Sequence, residues 1–530
     1  MAHRMNPLDD VIRAALKGKA VSYNPGIGAF ETATTQEIIA EGVHGEYRWP
    51  VRKDPIFTPI FTAILGSGSF TLFGATVTYA AVASAIATTA LVVGVQYLLT
   101  PKPPKPEDGR APLTQSIPYR FWGVGRCRLA GAMMLWEAVD RKMYSVQAIV
   151  AHRINAYTAF YLNDDLVELD VDGGAEDPLH PQRYGANRIR IFHNLGLTPE
   201  TAFPVLVDDL SGQGVWTEDH RGDGQASVAM VCQTPAQENF IKAFPYGKPA
   251  LSVVAELALC WDFRDPLQDP EDESTWVFTK NPAIQLAWHE CFNPFGTKRD
   301  FRKAILPVLD MWQEEADVCD ELVPRAAGGT EKRYECGGFD TAEHDPKGGT
   351  NAILAACDGW MCERGDGALL FVAGKFREKY VATLADADIV GHTIQHDVLP
   401  EEEVNRFVPK FTYPATDYTT TDTDFFDDTP AQISAGRILP ADGSYLWVQQ
   451  WRQARRLGKR EFARMRQKKR GSLDVRFTGI NAVYAPWVRL ATPRRIPSLN
   501  GLLISNRRSV LSVQNGGFQM TFILMPADID

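Results

Sequence analysis

The sequence predicts a multidomain α+β protein that is mainly β and is preceded by an apolar helical segment. Its 34 Pro, 42 Gly and 12 Trp favour a loop-rich, β-rich body over a helical bundle. From residue 117 onward, short β-favouring runs such as 226–232 and 251–260 alternate with turn signals. Residues 56–100 differ in composition from the body of the chain, because they contain no Asp, Glu, Lys or Arg. A chain of 530 residues is long enough for about three or four domains.

The first hundred residues divide into a head and an apolar segment. Residues 1–55 are predicted to be a small N-terminal head with no sign of chemistry, and residues 56–100 an apolar helical segment. Residues 75–99 are mostly Ala, Val, Leu, Ile and Thr and predict an unbroken helix. About 20 apolar residues are enough to cross the hydrocarbon core of a bilayer. The residues assigned to membrane insertion, or to a lumen, are Ala75, Val77, Ala81, Ala85, Ala90, Val93, Leu98 and Leu99.

A proline-rich tether at residues 101–116 leads into the body. Residues 117–290 predict one or more β domains, residues 291–405 an α+β domain, and residues 406–530 a C-terminal domain. Within the last of these, residues 445–470 predict a long basic helix that is followed by closing strands. Its aromatic stripe indicates one packed face and one charged outer face. The outer residues assigned to a subunit interface are Arg455, Arg456, Lys459 and Arg460.

Composition and charge argue against several classes of function. A net charge of −10 argues against a general nucleic-acid-binding protein, which is expected to be basic. The 8 cysteines form no C-x-x-C motif and predict reduced, mostly buried thiols. The N-terminal residues lack an apolar region and a small-residue cleavage site, so no secretory signal peptide is expected. No cofactor and no metal ion are predicted.

Two groups of residues have some resemblance to metal sites. His392 and His396 have the spacing of a helical metal pair, but the residues between them favour a strand and no Glu completes an H-E-x-x-H motif. Segment 417–430 is acidic and could bind a hard cation, although its spacing is not that of an EF-hand and a solvated loop is favoured. Its candidate ligands are Asp422, Asp424, Asp427 and Asp428.

The sequence offers no convincing catalytic motif. Asp219 and His220 form an acid–His pair among glycines, but a loop that caps a strand needs the same residues. No G-x-S-x-G elbow, Walker loop or dinucleotide fingerprint occurs. Among 65 acidic residues many carboxylate pairs are possible, and no feature of the sequence identifies one of them as the catalytic pair of a glycosidase. We therefore expect no enzyme activity.

Several short motifs follow one another in order along the body. They lie in residues 117–131, 161–164, 261–266, 276–284, 333–337, 352–375 and 453–456. They include Arg126-Cys-Arg128, an Asn281-Pro-Ala283 helix start and a Gln453-Ala-Arg-Arg456 stretch. Together they resemble the central hub, or tail-tip attachment, proteins of long-tailed bacteriophages (the lambda J type). Residues 56–116 resemble a different piece, the tail-tip assembly protein of the lambda type.

This resemblance implies a structural protein of the virion, located at the tail tip or baseplate of a siphophage and assembled in the host cytoplasm. It implies a homotrimer with tube-like β-barrel domains, arranged as a pseudo-sixfold ring. The implied partners are the distal tail protein, the tape measure protein and a central tail fibre or receptor-binding protein. Viral DNA would pass through the lumen without specific binding. The host membrane would meet the apolar segment during attachment and genome ejection.

Two other classes of protein remain open on the sequence alone. A bacterial inner-membrane-anchored protein with a soluble β-rich domain would explain the apolar run, since a single span is its commonest meaning. Such a protein should stay in the membrane fraction when it is expressed alone. A tail-associated cell-wall hydrolase is the other class, although it lacks a credible site, and a zymogram on peptidoglycan would identify it.

Overall fold

The computed structural model describes residues 20–24, 29–33, 69–72, 75–78, 112–114, 118–181, 183–184, 188–325, 328–397, 403–512 and 517–526. The chain divides into two compact units, Met1–Lys105 and Pro106–Asp530. In the second unit, strands outnumber helices, so the prediction of a mainly β chain is confirmed. Among the described residues, no helix has both the length and the apolar composition needed to cross a membrane.

The described residues of the first unit form two antiparallel pairs of strands. Their strands are β1 (Ala20–Asn24), β2 (Ala29–Ala33), β3 (Ser69–Leu72) and β4 (Ala75–Thr78). The predicted helix from Ala75 is therefore wrong at its start, and Ala75 and Val77 lie in a strand. Thr76, Val77 and Thr78 are β-branched, and such side chains favour extended backbone over helix. The remaining predicted insertion residues lie outside the described residues: Ala81, Ala85, Ala90, Val93, Leu98 and Leu99.

The second unit begins with two antiparallel sheets around one core. The strands are β5 (Phe121–Val124), β6 (Arg126–Leu129), β7 (Ala132–Val139), β8 (Lys142–Val150), β9 (Ile154–Leu162), β10 (Asp165–Leu169), β11 (Ala175–Glu176), β12 (Ile189–Leu195), β13 (Ala226–Gln233), β14 (Leu251–Cys260) and β15 (Val277–Phe278). One sheet has the order β12-β13-β8-β7, and the other has the order β11-β10-β9-β14-β15, with β6 also on β14. Their shared core includes Leu129, Ile149, Leu162 and Ile189.

Two short helices accompany these sheets, α1 (Pro204–Leu210) and α2 (Gln237–Ala243). Helix α1 packs Leu206 and Leu210 against Tyr144 and Val146 of β8. Because neighbouring side chains of a strand point to opposite faces, β8 is buried on both faces, and its run of apolar residues suits a strand between two layers.

A helical layer follows the sheets. Its elements are α3 (Pro282–Cys291), α4 (Phe301–Ala304), α5 (Leu309–Asp320), β16 (Leu322–Pro324), β17 (Thr330–Lys332), β18 (Gly338–Thr341), α6 (Pro346–Cys357), β19 (Trp360–Glu363) and β20 (Leu369–Val372). Helix α3 begins as the sequence predicts, because the Asn281 side chain accepts a hydrogen bond from Ala283 N at 3.0 Å and Pro282 occupies the first turn. Strand β18 pairs antiparallel with β5, which attaches this layer to the preceding sheets.

The C-terminal part contains two further sheets. Its elements are β21 (Val381–Ala385), β22 (Ile389–Gln395), β23 (Arg406–Tyr413), β24 (Thr419–Asp422), β25 (Phe426–Asp427), α7 (Thr429–Ala435), β26 (Pro440–Tyr445), α8 (Trp451–Met465), β27 (Arg470–Arg476), α9 (Ile480–Val483), β28 (Trp487–Ala491), β29 (Leu503–Ser512) and β30 (Gly517–Leu524). The larger sheet has the order β21-β28-β29-β30-β27-β22 and its own core. In the smaller sheet, β24, β25 and β26 all pair with β23.

Two predicted elements differ from the structure. The basic helix predicted over residues 445–470 is shorter, because Tyr445 pairs with Phe411 at the end of β26 and Arg470 begins β27. The predicted loop at residues 417–430 contains β24 and β25. The threonines at 419–421 favour extended backbone, and β23 supplies the pairing partner that the local sequence does not reveal.

The largest hydrophobic core crosses the predicted domain boundaries. It contains Trp122 from the first predicted β domain, Trp312 from the α+β domain and Ala454 from the C-terminal domain. The predicted boundaries at residues 290 and 405 stay predictions. Physically, these segments share buried surface, so each of them depends on its neighbours for part of its stability.

Candidate functional site: the central junction

Residues from distant parts of the body meet beneath the first half of α8, at a place we call the central junction. It comprises β5 and β6, the start of α3, the end of α6, residues 333–338 and residues 447–457. Gly337 N donates to Trp447 O at 3.0 Å. Gln449 Nε2 in turn donates to Gly337 O at 3.2 Å and to Arg126 O. Three segments are therefore joined by one main-chain hydrogen bond and by the side chain of Gln449.

Gln453 is the central polar side chain of the junction and is fully buried. Its Nε2 donates to Glu335 O and to Ala356 O, each at 2.8 Å. Its Oε1 accepts a hydrogen bond from Glu335 N at 3.0 Å. A buried polar group costs free energy unless its hydrogen bonds are made. Here one amide joins α8 to two other segments.

Aromatic packing closes the junction on its inner side. The rings of Trp122 and Trp447 meet edge to face with centroids 5.7 Å apart. Trp122 also stacks on His289 of α3, with centroids 4.5 Å apart. A Cβ at Gly338 would collide with the indole of Trp447, and one at Gly349 would lie 2.5 Å from Trp122. Glycine is therefore required at both positions for the rings to pack.

Two amide side chains attach the start of α3, one to the junction and one to α5. Gln285 Nε2 donates to Cys336 O at 3.2 Å, and Cys336 N donates to Lys280 O at 2.9 Å. Asn281, which caps α3, uses its Nδ2 to donate to Ala316 O at 2.8 Å. Both side chains therefore bind main-chain atoms, and neither is presented to solvent.

The arginines of α8 find carboxylates within the chain. Arg456 Nη1 lies 2.5 Å from Glu331 Oε1, and Arg456 Nη2 donates to Arg333 O at 2.8 Å. Arg460 and Arg464 both bind Asp358, at 2.8 Å and 2.5 Å. Burial by itself raises the pKa of Asp358, but the two arginines outweigh it and hold that pKa below its ordinary value. A large part of the positive charge of the helix is thus neutralised internally.

The residues assigned to a subunit interface divide into two groups. Arg460 is buried, with 6% of its side chain exposed, and Arg456 is partly covered at Glu331. Arg455 lies 2.5 Å from the exposed Asp424, and Lys459 is exposed. The interface assignment stays a prediction. Lys459 is exposed and Arg455 pairs with an exposed carboxylate, whereas Arg456 pairs with the buried Glu331.

The candidate metal ligands are dispersed or paired with cations. His392 lies in strand β22, as the residues between the two histidines favour, so it and His396 are not on a helix. Asp424 pairs with Arg455, and Asp427 and Asp428 pair with other arginines. In the part of the chain that the structure describes, no group of three or more His, Cys, Asp or Glu residues could hold a metal ion.

The His of the acid–His loop and most of the cysteines are engaged in packing within the chain. His220 stacks on Trp216 with ring centroids 4.8 Å apart, and its Nδ1 accepts a hydrogen bond from Thr217 N at 3.0 Å. The cysteines are free, and six of them are buried, as predicted: Cys127, Cys232, Cys260, Cys319, Cys336 and Cys357. Burial raises the pKa of the Cys232 thiol to about 12, which disfavours the reactive thiolate.

Two features near the junction are not predicted by the sequence: the role of Gln449, and the ion pairs of Asp358, which lies in one of the motifs. Gln449 precedes the helix, and its role depends on a strand more than three hundred positions earlier, as the hydrogen bond to Arg126 O shows. Asp358 ends α6 in the left-handed region, with φ 49°, where Asp is one of the better tolerated residues. A helix end is a weak signal for an ion pair, so neither residue could be found from its neighbours.

Comparisons with known proteins give likenesses to solved structures alone. No protein-family model and no curated protein matches the sequence. A chain from the virion of a native gene transfer agent particle matches at 13% identity with a TM-score of 0.49, covering 84% of this chain and 98% of that one. The 43 kDa tail protein of prophage MuSo2 from Shewanella oneidensis matches at 10% identity with a TM-score of 0.27, covering 77% and 94%. A tail protein from Neisseria meningitidis MC58 matches at 12% identity with a TM-score of 0.29, covering 53% and 76%.

Proposed function

We propose that this chain is a non-catalytic structural protein of a phage-type tail, and that it forms the hub at the tail tip. One observation carries the proposal. Motifs that resemble the hub family, although they lie at residues as distant as 126 and 453, meet at the central junction, where Gln449, which lies outside the motifs, bridges two of them and Gln453 joins its own motif to two. A family fold in which these motifs hold one core predicts this arrangement.

The manner in which the motif residues are used also favours a structural role. Gln453, Gln285 and Asn281 bind main-chain carbonyls inside the protein. A catalytic constellation would instead direct nucleophiles or acid–base groups toward a cleft. The junction therefore serves to fix the relative position of several sheets, which is what a load-transmitting ring subunit requires.

In the assembled tail we propose three copies around the axis. They would join the distal tail protein above to a central fibre or receptor-binding protein below, and surround the path of the tape measure protein and the DNA. The proposal assigns the exposed charges Arg455 and Lys459 to contacts with neighbouring subunits. It assigns no sequence-specific DNA binding to the chain.

Location and copy number test this proposal directly. An epitope tag placed between Gly212 and Gln213 enters an exposed turn, where a Cβ on Gly212 would meet nothing within 4 Å. Gold-labelled antibody on purified particles should mark one end of the tail, and quantitative mass spectrometry should give a multiple of three copies. Label on the capsid, label along the whole tail, or a stable dimer would overturn the hub. Retention of the tagged chain in the host inner membrane would instead support the anchored-protein alternative.

The apolar segment is proposed to reach the host membrane during genome delivery. Placing a Lys at Ala85 would cost a membrane-inserted helix about 2.5–3.5 kcal/mol per chain. We expect Ala85→Lys particles to assemble and adsorb to cells, and to fail in DNA delivery and potassium release. Normal delivery would show that the segment has no membrane role, and loss of tails would assign it to assembly.

A further inference from the structure

The turn at residues 414–418, between β23 and β24, reaches from the C-terminal part of the chain to the first pair of sheets. The carboxylate of Asp417 lies 4.0 Å from Nη1 of Arg128 in β6. Tyr418 is half-buried at the same place, and burial raises its pKa to about 12. Strand β6 lies at an edge of its sheet, because β14 is its only paired strand among the described residues.

Arg128 is held in a fixed position before the turn is considered. Its Nε and Nη2 donate to Ser252 Oγ at 3.1 Å, and Nη2 also donates to Asn163 O at 3.2 Å. Nη2 is in addition paired with the carboxylate of Asp164 at 3.0 Å, so Asp417 is the second and more distant anion beside Arg128. Its guanidinium lies over the ring of Tyr161, 4.0 Å from the centroid. The side chain is 1% exposed, yet Nη1 has no hydrogen-bond partner among the described residues. The atom that faces Asp417 is thus the least satisfied atom of a rigid, buried cation.

The turn itself is strained and internally braced. Asp417 and Tyr418 both have positive φ, at 55° and 61°. Such a conformation is unfavourable for residues with a side chain, and for a bulky one such as Tyr it is an outlier. Threonine hydroxyls brace the turn, since Thr416 Oγ1 donates to Tyr413 O at 3.1 Å and Thr419 Oγ1 donates to Thr416 O at 2.8 Å. The two positive φ angles and the hydrogen bonds that hold them therefore lie within one short turn.

A comparison with the β7–β8 turn shows that a hairpin turn as long as residues 414–418 does not in general require two positive φ angles. Asp140 and Arg141 also have positive φ, at 48° and 65°, but they are the two residues between β7 and β8. Two-residue hairpin loops of type I′ require positive φ at both central positions. Longer loops such as residues 414–418 are most often built around a type I turn, which has no such requirement. The strain at Asp417 and Tyr418 accompanies the contact with Arg128.

We propose that the turn at residues 414–418 is a releasable latch on Arg128. In the closed state Asp417 faces Nη1 and Tyr418 covers the edge of β6. In the open state the turn lifts away, Asp417 and Tyr418 leave the left-handed region, and Arg128 and the β6 edge are uncovered. The latch is a property of the free chain and does not depend on the role in a tail.

Hydrogen exchange of the full chain with an Asp417→Asn substitution tests the latch. Asn tolerates positive φ much as Asp does, so the change removes the charge and leaves the backbone preference in place. We expect amide exchange in residues 413–419 and 126–131 to become about twofold to fivefold faster, the range that a partly exposed ion pair predicts. Asp140→Asn, in the other turn with two positive φ angles, is the matched control and should leave those segments unchanged.

Three results would overturn the latch: unchanged exchange in Asp417→Asn, an equal effect of Asp140→Asn, or acceleration that extends through the whole β23–β24 hairpin. The last result would mean that the hairpin frays as one element.

A measurement on the unsubstituted chain is independent of any folding defect. Raising the salt from 0.05 to 1 M screens a half-exposed pair, so exchange at residues 413–419 should accelerate while exchange in β27 and β30 stays constant.

Discussion

Helices α3 and α8 bound the same junction in opposite ways. In α3 every residue from Pro282 to Glu290 is buried, including polar Gln285 and His289, and its amide and imidazole groups bind main-chain atoms. Helix α8 buries a narrower stripe and attaches through arginines that bind carboxylates from distant segments. Helix α3 is therefore attached chiefly by packing and hydrogen bonds, whereas α8 adds buried ion pairs to the hydrogen bonds of Gln453. The two should therefore respond to different perturbations.

The largest effect is expected from Asp358→Asn beneath α8. The substitution keeps the shape of the side chain and its tolerance of positive φ, but leaves the buried Arg460 and Arg464 without their shared anion. Removing one partner of a buried ion pair costs about 3–5 kcal/mol. We expect that loss in the free energy of unfolding, measured by urea denaturation with unchanged m-value.

An exposed pair provides the control for that experiment. Asp366 binds Arg364 at 2.7 Å, and 53% of the Asp366 side chain is exposed. Asp366→Asn should lower the free energy of unfolding far less than Asp358→Asn does, because water screens the pair. If the two substitutions have equal effects, the ion pairs of α8 are not what attaches that helix.

The next effect concerns the apolar packing of α3. Leu286 is fully buried, and its truncation in Leu286→Ala leaves a cavity in the largest core. Such substitutions cost about 2–5 kcal/mol. Urea denaturation should show this loss at pH 7.5, at low and at high salt alike. A loss that depends strongly on salt would contradict the distinction between the two helices.

The sequence predicts the start of α3 at the junction, but it does not predict the partners of α8. The Asn281-Pro282 start of α3 is a local signal, and the structure places the cap where the sequence does. The basic face of α8 is also visible in the sequence, but its partners are not. Glu331 and Asp358 lie about a hundred residues away and are brought in only by the fold.

The predicted starts of two helices are wrong for a related reason. The aromatic stripe predicts a helix from residue 445, yet Trp447 belongs to the segment before α8 and packs against Trp122. Residues 75–78 form a strand although the surrounding composition predicts a helix. In each case a pairing partner, and not local propensity, determines the conformation. For Trp447 the partner is distant in the sequence, and for residues 75–78 it is the neighbouring strand.

A smaller, pH-dependent effect should distinguish the surroundings of α3 from those of α8. His152 packs edge to face on Trp288 of α3, and burial lowers its pKa to about 4. The unfolded state, with an ordinary pKa near 6.5, binds the proton first as pH falls. Stability from this group is therefore present above about pH 6.5 and is lost progressively down to about pH 4.

Between pH 7.5 and 5.5 this linkage should remove about 1 kcal/mol from the free energy of unfolding. Burial also lowers the pKa of His289, which acts in the same direction. Asp358, with its pKa held low, contributes a loss only below about pH 4. Urea denaturation at both pH values measures the change, and a His152→Gln variant should lose part of it. An unchanged pH slope in that variant would show that His152 does not carry the effect.

The smallest effect on stability is expected at the outer face of α8. Arg455 contacts the exposed Asp424, and its guanidinium lies 5.3 Å from the ring centroid of Trp451. Because the pair is exposed, Arg455→Ala should cost no more than about 1 kcal/mol. If the outer charges serve neighbouring subunits, a double Arg455→Glu, Lys459→Glu variant should fold with a urea midpoint close to that of Arg455→Ala and yet form fewer tails, as electron microscopy of lysates would count. A loss near that of Asp358→Asn would mean that the outer charges attach the helix after all, whereas a normal number of tails would remove them from the proposed interface.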